Sequence, residues 1–327
     1  MSGSAVPVRA AKRVSIVYRA YNEEKWLAQS IAASQRQRLP EGIDLELVMV
    51  DSGSTDSTVE IAERAGCRIV HIRKSDFTFG RSLNMGCDAA TGDVLVFISA
   101  HCIPCHDDWL ANLIAPILDG RAEYTYGKQV GHEVTRFSEN QVFSHYFGDH
   151  DKIPQQELFV NNANSAISRR AWEHYRFDEQ ATGLEDMVLG RALMKDGGMI
   201  GYVANAPVTH IHEETLRQVE RRFYREALTL REIFPEVHFH FGDFVRCFSA
   251  GVFHDFADAL EENRFFREAP GAVAYRLMQY WGAYRGHNEH RNLSRAQKES
   301  YYYPRSRRSR KRRPAKSSTS SANNPAE

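Results

Sequence analysis

The sequence predicts an α/β fold in which a mostly parallel sheet is flanked by helices and followed by a helical C-terminal extension. Two strand-loop-helix units stand side by side near the N-terminus, short apolar runs then alternate with helical periodicity, and strand signals give way after His212 to long stretches at helical spacing. With 327 residues and 42% hydrophobic content, the chain can bury one large core and carry an appendage.

The first unit is a strand over residues 14–18 that runs into Arg19, Ala20, Tyr21, Asn22, Glu23 and Glu24, then an amphipathic helix around Trp26, Leu27 and Ile31. The second is the apolar run 45–50, a strand buried on both faces, with Asp51 at its carboxyl end and a Ser52-Gly53 turn behind it. Ser54 or Thr55 is placed to cap the helix that continues through Glu63. Further on, 68–72 reads as a short strand, 81–90 as a helix, 94–98 as a buried strand ending in Ser99, Ala100 and His101, and 107–118 as a helix with Pro116 near its end. Residues 137–154, rich in aromatics and histidine, read as a long irregular connection. A strand over 199–203 leads to His210 and His212, which extended backbone would place on one face with Ile211 on the other. Leu216, Val219, Phe223, Ala227 and Leu230 then recur at helical spacing, and 241–260 and 272–284 repeat the pattern with interspersed arginines. Such faces pack on the preceding domain, pair two copies of the chain, or dock on a membrane.

In open α/β sheets ligands bind outside the carboxyl ends of the strands, and a carboxylate there can accept hydrogen bonds from ribose hydroxyls or a base edge. Asp51 and His101 share that edge, so the 48–58 stretch suits a nucleotide; equally, it is a polar turn with a good helix cap.

Residues 14–27, 45–58, 79–86, 90–99 and the Gly183-Leu184-Glu185-Asp186 turn, in that order, resemble the family 2 glycosyltransferases of the GT-A fold, a Rossmann-like architecture. The resemblance runs over residues 14–214. It implies a nucleotide-sugar donor held by Ala20, Tyr21, Asn22, Glu23, Asp51, Ser52, Gly53, Arg81, Asn84, Ser99, Ala100 and His101. It makes Asp186 the base of an inverting transfer, with Glu185 binding acceptor or orienting the loop, although acids at a helix N-terminus are favoured by the helix dipole alone. Asn162 and Asn164 lie in a segment like the family's acceptor site, where asparagines serve sugar hydroxyls or turn backbones equally well.

One departure stands out. Family members carry Asp-x-Asp for a divalent cation where this chain has Ser99-Ala100-His101, so the hard oxygen ligands that suit magnesium are missing. His101 could hold a softer cation such as manganese with His210 or His212, donate to a phosphate oxygen without metal, or simply pack at a strand end. A divalent cation, Mn or Mg, is therefore an open expectation. The activity implied is transfer of a sugar to a saccharide or lipid-linked acceptor in surface polysaccharide or glycolipid assembly. The alternatives are a catalytically degenerate sugar-nucleotide-binding module and a nucleotidyltransferase, the latter disfavoured because no Gly-rich phosphate loop follows Val17.

The formal charge is zero, yet residues 305–316 hold eight basic side chains and no acid, leaving an acidic body and a basic tail. The tail is expected to be disordered and to touch an anionic membrane surface, to stay solvated, or, as the last choice, to bind nucleic acid without sequence preference. The expected division is a catalytic domain at 13–214, a helical extension at 215–303 and the tail at 304–327, with a homodimer as a further possibility. No apolar run approaches the ~20 residues that span a bilayer, so the expected location is cytoplasmic, or peripheral on the inner face of the cell membrane. Five cysteines, with Cys102-x-x-Cys105 lacking a second pair, fit a reducing compartment and no zinc ribbon. His132, His145, His150, His238 and His240 are read as surface or packing residues.

Overall fold

The computed structural model describes residues 13–289; the basic tail, and with it the expected membrane contact, lies outside the described residues. In chain order the elements are β1 (Arg13–Ala20), α1 (Leu27–Gln35), β2 (Asp44–Asp51), α2 (Thr58–Arg64), β3 (Arg68–His71), α3 (Phe79–Ala89), β4 (Val94–Ser99), β5 (Cys102–Pro104) and α4 (Trp109–Leu118). They continue with β6 (Tyr124–Gly131), α5 (Phe137–Tyr146), β7 (Asn164–Ser168), α6 (Arg169–Tyr175), α7 (Glu185–Lys195), β8 (Ile200–His210), α8 (Leu216–Ile233), α9 (Phe241–Glu261) and α10 (Phe265–His287).

One eight-stranded sheet has the order β3-β2-β1-β4-β7-β6-β8-β5. Its first four strands are parallel, and β7 then runs antiparallel to both β4 and β6. The parallel β6-β8 pair and the antiparallel β5 complete a mixed sheet. The central parts of β1, β2 and β4 are apolar because both faces are covered there, as expected where crossover helices pack on both sides, while polar residues sit at their ends and on edge strand β3. Val17, Val48, Val50, Leu95 and Phe97 pack toward α3 and the α6–α7 side. Ile16, Tyr18, Met49, Val96 and Ile98 face Leu27, Ile31, Trp109 and Leu113 of α1 and α4 on the other.

Two local expectations are corrected. Ser54 and Thr55 do not cap α2, which begins at Thr58 behind a Ser57 that makes no capping side-chain bond. They are committed elsewhere: the Asn22 N–H donates to Ser54 Oγ at 3.0 Å and the Thr55 N–H to Asn22 Oδ1 at 2.8 Å, while Asp56 Oδ1 accepts the Thr58 N–H at 3.0 Å. Residues 137–154 are not irregular throughout, since α5 occupies the first part and buries Phe137, Glu139 and Phe143 together. A buried acid on the inward face hid its amphipathic pattern.

The helical extension packs as a unit. Helix α10 lies along α8 and pairs with α9, where buried Arg276 forms an ion pair with Asp255. Its approach to α8 requires glycine: a Cβ on Gly282 would fall 2.3 Å from the Glu220 carbonyl oxygen, and one on Gly286 would fall 2.3 Å from that of Tyr224. Gly282→Ala is therefore expected to cost about 1–3 kcal/mol by overpacking and to lower the melting temperature in a thermal scan. An unchanged melting temperature would show that the two helices separate freely. Among the described residues no helix is long and apolar enough to cross a membrane. Cys102 and Cys105 are free thiols, one buried and one exposed.

Candidate functional site

A cavity of about 920 Å³ opens at the carboxyl ends of β1 and β4, between Arg19, Asn22, Glu23, Ser99 and His101 on one side and the turn 183–187 on the other. Helices α8 and α10 wall it with Arg222, Phe223, Arg225, Leu230, Tyr280 and His287, so the extension is part of the site.

The loops after β1 and β2 are latched to each other. Besides the Asn22 bonds, the Glu23 N–H donates to Thr58 Oγ1 at 2.7 Å and the Glu24 N–H to Asp56 Oδ2 at 3.2 Å. Asn22 takes a left-handed backbone, φ 56°, to make this turn. Asp51 is buried and its two carboxylate oxygens accept the N–H groups of Gly53 and Ser54, both at 3.0 Å. Asp51, Ser52 and Gly53 thus shape the loop beside the cavity without lining it. Ala20 and Ala100 are buried strand-end residues, and Tyr21 stands outside the cavity with Lys74 Nζ at 2.6 Å from its hydroxyl.

The three histidines singled out in the sequence come together. One ring nitrogen from each of His101, His210 and His212 lies within 4.8 Å of the others. The Nδ1 atoms are already engaged, at 3.0 Å from Glu23 Oε1, 2.7 Å from Gln129 Oε1 and 2.5 Å from Glu139 Oε1 respectively, which leaves Nε2 of each ring for a ligand. Backing each ring with a side-chain oxygen is the arrangement that orients metal-binding imidazoles. Burial, reinforced by His212 and His101 nearby, holds His210 well below the usual histidine range and hence neutral. Burial disfavours the Glu139 carboxylate, but Arg222 and His212 outweigh it and bring its pKa down to about 2. Burial likewise opposes the charged form of His101, and Glu23 overturns this to raise its pKa. Imidazole nitrogens, two of them backed by carboxylates and one by an amide oxygen, fit manganese or a later transition ion better than magnesium.

Across the cavity Leu184, left-handed at φ 52°, turns the chain into α7 so that Glu185 and Asp186 enter the site from its first turn. Asp186 is buried, and its Oδ2 and Oδ1 accept the N–H groups of Asn162 and Met187, each at 2.8 Å. Burial, and then the charge of Glu185, push its carboxyl up to about 7 against those bonds. Glu185 is buried too and is held by Arg19 at 3.1 Å. A carboxylate near neutrality can take a proton at physiological pH.

Other predicted residues serve the architecture. Arg81 Nε donates to Glu179 at 2.8 Å. Asn84 binds the Phe177 carbonyl at 2.9 Å and accepts from Trp172 at 3.2 Å, so neither residue lines the cavity. Asn164 is fully buried, accepting from Trp109 at 2.9 Å and donating to the Ala206 carbonyl at 2.8 Å. Asn162 does line the cavity, with its Nδ2 buried and unpartnered. Arg19, Gln129, Glu139, Arg222 and Arg225 were not singled out from the sequence. Only the Arg222 and Arg225 spacing on one helix face gave a signal for any of them.

Residues 15–176 match the model of the family described as glycosyl transferase family 2. The chain belongs to glycosyltransferase family 2. This family 2 chain is 26% identical over 192 residues to the O-antigen chain rhamnosyltransferase RfbN of Salmonella typhimurium, covering 55% of itself and 61% of that protein. It is 31% identical over 127 residues to glucosyl-3-phosphoglycerate synthase of Mycobacterium tuberculosis, covering 36% of itself and 38% of that protein. It thus spans less than two thirds of these curated relatives. Among solved structures, the mannosyltransferase PcManGT from Pyrobaculum calidifontis in complex with GDP-Man and Mn2+ aligns with a TM-score of 0.58 at 15% identity, over 86% of this chain and 88% of that one. The Mycobacterium tuberculosis glucosyl-3-phosphoglycerate synthase in complex with Mn2+, UDP and glucosyl-3-phosphoglycerate aligns at 0.50 and 24% identity, over 68% and 79%. These likenesses establish the GT-A fold of this family 2 chain, its mixed sheet flanked by helices.

Proposed function

We propose that this chain transfers a sugar from a nucleotide-sugar donor to a hydroxyl of a saccharide or lipid-linked acceptor, with inversion, in assembly of a surface polysaccharide or glycolipid. The observation that carries the reading is Asp186, a buried carboxyl fixed by the Asn162 and Met187 N–H groups in the same cavity as the three histidines. In the reaction the acceptor oxygen bonds to the anomeric carbon as the bond from that carbon to the diphosphate breaks. The hydroxyl proton passes to Asp186, and the bonding pair leaves on the nucleoside diphosphate. Arg19 holds Glu185 in place beside the base.

His101, His210 and His212 would hold a divalent cation, which when bound supplies positive charge against the departing diphosphate. The manganese in both solved relatives supports this choice. The Asn22–Glu23 loop, latched to the Asp51 loop, borders the nucleoside. Polysaccharide assembly is supported by the O-antigen rhamnosyltransferase among the relatives. We also assign residues 13–214 to the catalytic domain and 215–303 to an extension whose helices α8 and α10 complete the cavity wall. The 304–327 tail would hold the protein peripherally at the inner face of the membrane, and a homodimer stays compatible with this arrangement.

The test is release of nucleoside diphosphate from UDP, GDP, dTDP and CMP sugars, with CMP in the last case, in the presence of Mn2+ and candidate acceptors. Turnover of one donor is expected. Binding without turnover of any donor would favour the module, and pyrophosphate release from a nucleoside triphosphate would favour a nucleotidyltransferase.

A further inference from the structure

Three arginines reach the cavity near the Glu185–Asp186 turn, and two of them are spent. Arg19 is paired with Glu185 at 3.1 Å, and Arg222 with Glu139 at 2.5 Å and Glu214 at 2.8 Å. Arg225 makes no hydrogen bond or ion pair with any described residue, and its Nε is buried without a partner. Packing alone holds it: its guanidinium carbon lies 4.6 Å from the centre of the Phe79 ring, and that of Arg19 lies 4.5 Å from the same centre. Gly183 makes room for it, since a Cβ there would lie 3.3 Å from Arg225 Nε. The group therefore rests against the turn that delivers the base. Glu226, Glu185 and Glu214 favour its charge from a distance but burial outweighs them, and Glu185 and Glu214 are already paired with the other two arginines. This half-buried guanidinium, with its Nε unpartnered, gains charge-assisted hydrogen bonds from an arriving anion.

Resting on the transferase reading above, we propose that Arg225 is the anion-binding residue of the acceptor subsite, and that the acceptor carries a phosphate group close to the hydroxyl that attacks. The phosphate belongs to the acceptor rather than the donor because Arg225 packs on Phe79 and Gly183 beside Asp186, whereas the three histidines gather at the ends of β4 and β8. A phosphorylated small molecule and a lipid-linked phosphate present the same group, and the planar fork of arginine suits either.

Calorimetric titration of the full chain in chelator-treated buffer tests this, with inorganic phosphate, 3-phosphoglycerate and farnesyl phosphate as probes. Arg225→Gln is expected to weaken phosphate binding by about tenfold or more, and Arg225→Lys to restore part of it. In a parallel titration with Mn2+, both variants should bind the nucleoside diphosphate preferred by the wild type as the wild type does. One organic phosphate should exceed inorganic phosphate, farnesyl phosphate marking a lipid source and 3-phosphoglycerate a soluble one. Phosphate affinity unchanged in Arg225→Gln overturns the proposal. So does equal weakening of nucleotide and phosphate, which would put Arg225 on the donor, and so does the absence of any gain by either organic phosphate. Wild-type protein that binds no nucleoside diphosphate while its phosphate binding still depends on Arg225 would sink the transferase reading and leave the anion site standing. Circular dichroism melts of both variants confirm that each is folded.

Discussion

Asp186→Asn is expected to slow sugar transfer by a factor on the order of 10²–10⁴, the usual contribution of a positioned base, while nucleotide affinity stays at the wild-type value. The amide keeps the size of the carboxyl but cannot take the hydroxyl proton. In wild type, kcat/KM should rise with pH through about 7 and level off above it, because only ionised Asp186 serves as base. Stability carries the opposite slope. The carboxyl titrates near 3.8 in an unfolded chain and near 7 when folded, so between those values the folded chain binds more protons than the unfolded one. The contribution of Asp186 to stability is therefore largest at the acid end of this window, falls as pH climbs toward about 7, and is level beyond. The amide variant has no such dependence, so the difference in melting temperature should move in its favour between pH 5 and pH 8. The gain is partly offset because an amide has one oxygen where Asp186 uses two, for the Asn162 and Met187 N–H groups. A variant with wild-type turnover, or a wild-type rate that is flat from pH 6 to 8, would remove Asp186 from this role.

Much of the sheet was legible because its central strands are buried on both faces and read as apolar runs, unbroken at residues 94–98 and interrupted only by Glu46 at 45–50. The turn carrying Glu185 and Asp186 was singled out by the family resemblance, since acids at a helix N-terminus are favoured by the helix dipole alone, and His210 and His212 by the extended backbone that puts both on one face. Purpose was harder to read than place. Arg81, Asn84 and Asn164 look like ligand-binding residues in one dimension, yet their polar atoms meet Glu179, Trp172, Phe177, Trp109 and the Ala206 carbonyl, partners far away in sequence. Glu139 was hidden for a complementary reason, since its segment mixes a buried acid with phenylalanines and its only explanation is His212 and Arg222 across the fold. The wall formed by α8 and α10 was likewise visible as helices but not as a site, because an apolar stripe gives no hint of which cavity it will close.

His101→Ala is expected to reduce Mn2+ affinity by at least about 100-fold and to abolish the extra thermal stabilisation that Mn2+ gives to a bound nucleotide sugar. The loss should be this large because His210 and His212 alone offer two nitrogens, and the neighbouring carboxylate Glu139 is occupied by His212 and Arg222. Glu139→Gln separates ligation from its support. Its carboxylate, held ionised by Arg222 and His212 with a pKa of about 2, keeps its charge across the physiological range and fixes the orientation of the His212 ring it holds. Replacing it with an amide of the same shape should weaken Mn2+ by about 10–100-fold while all three histidines remain. Direct titration of Mn2+ followed by its electron paramagnetic resonance signal measures both effects without reference to turnover. Graded losses, severe for His101→Ala and moderate for Glu139→Gln, would mark a cation held by imidazoles backed by carboxylates. Wild-type protein that leaves the Mn2+ signal unchanged yet binds nucleotide sugar, and loses that binding on His101→Ala, would instead make His101 a direct donor to a phosphate oxygen. Its raised pKa, set by Glu23 against the cost of burial, suits that second role as well, so the metal titration is the measurement that separates the two chemistries.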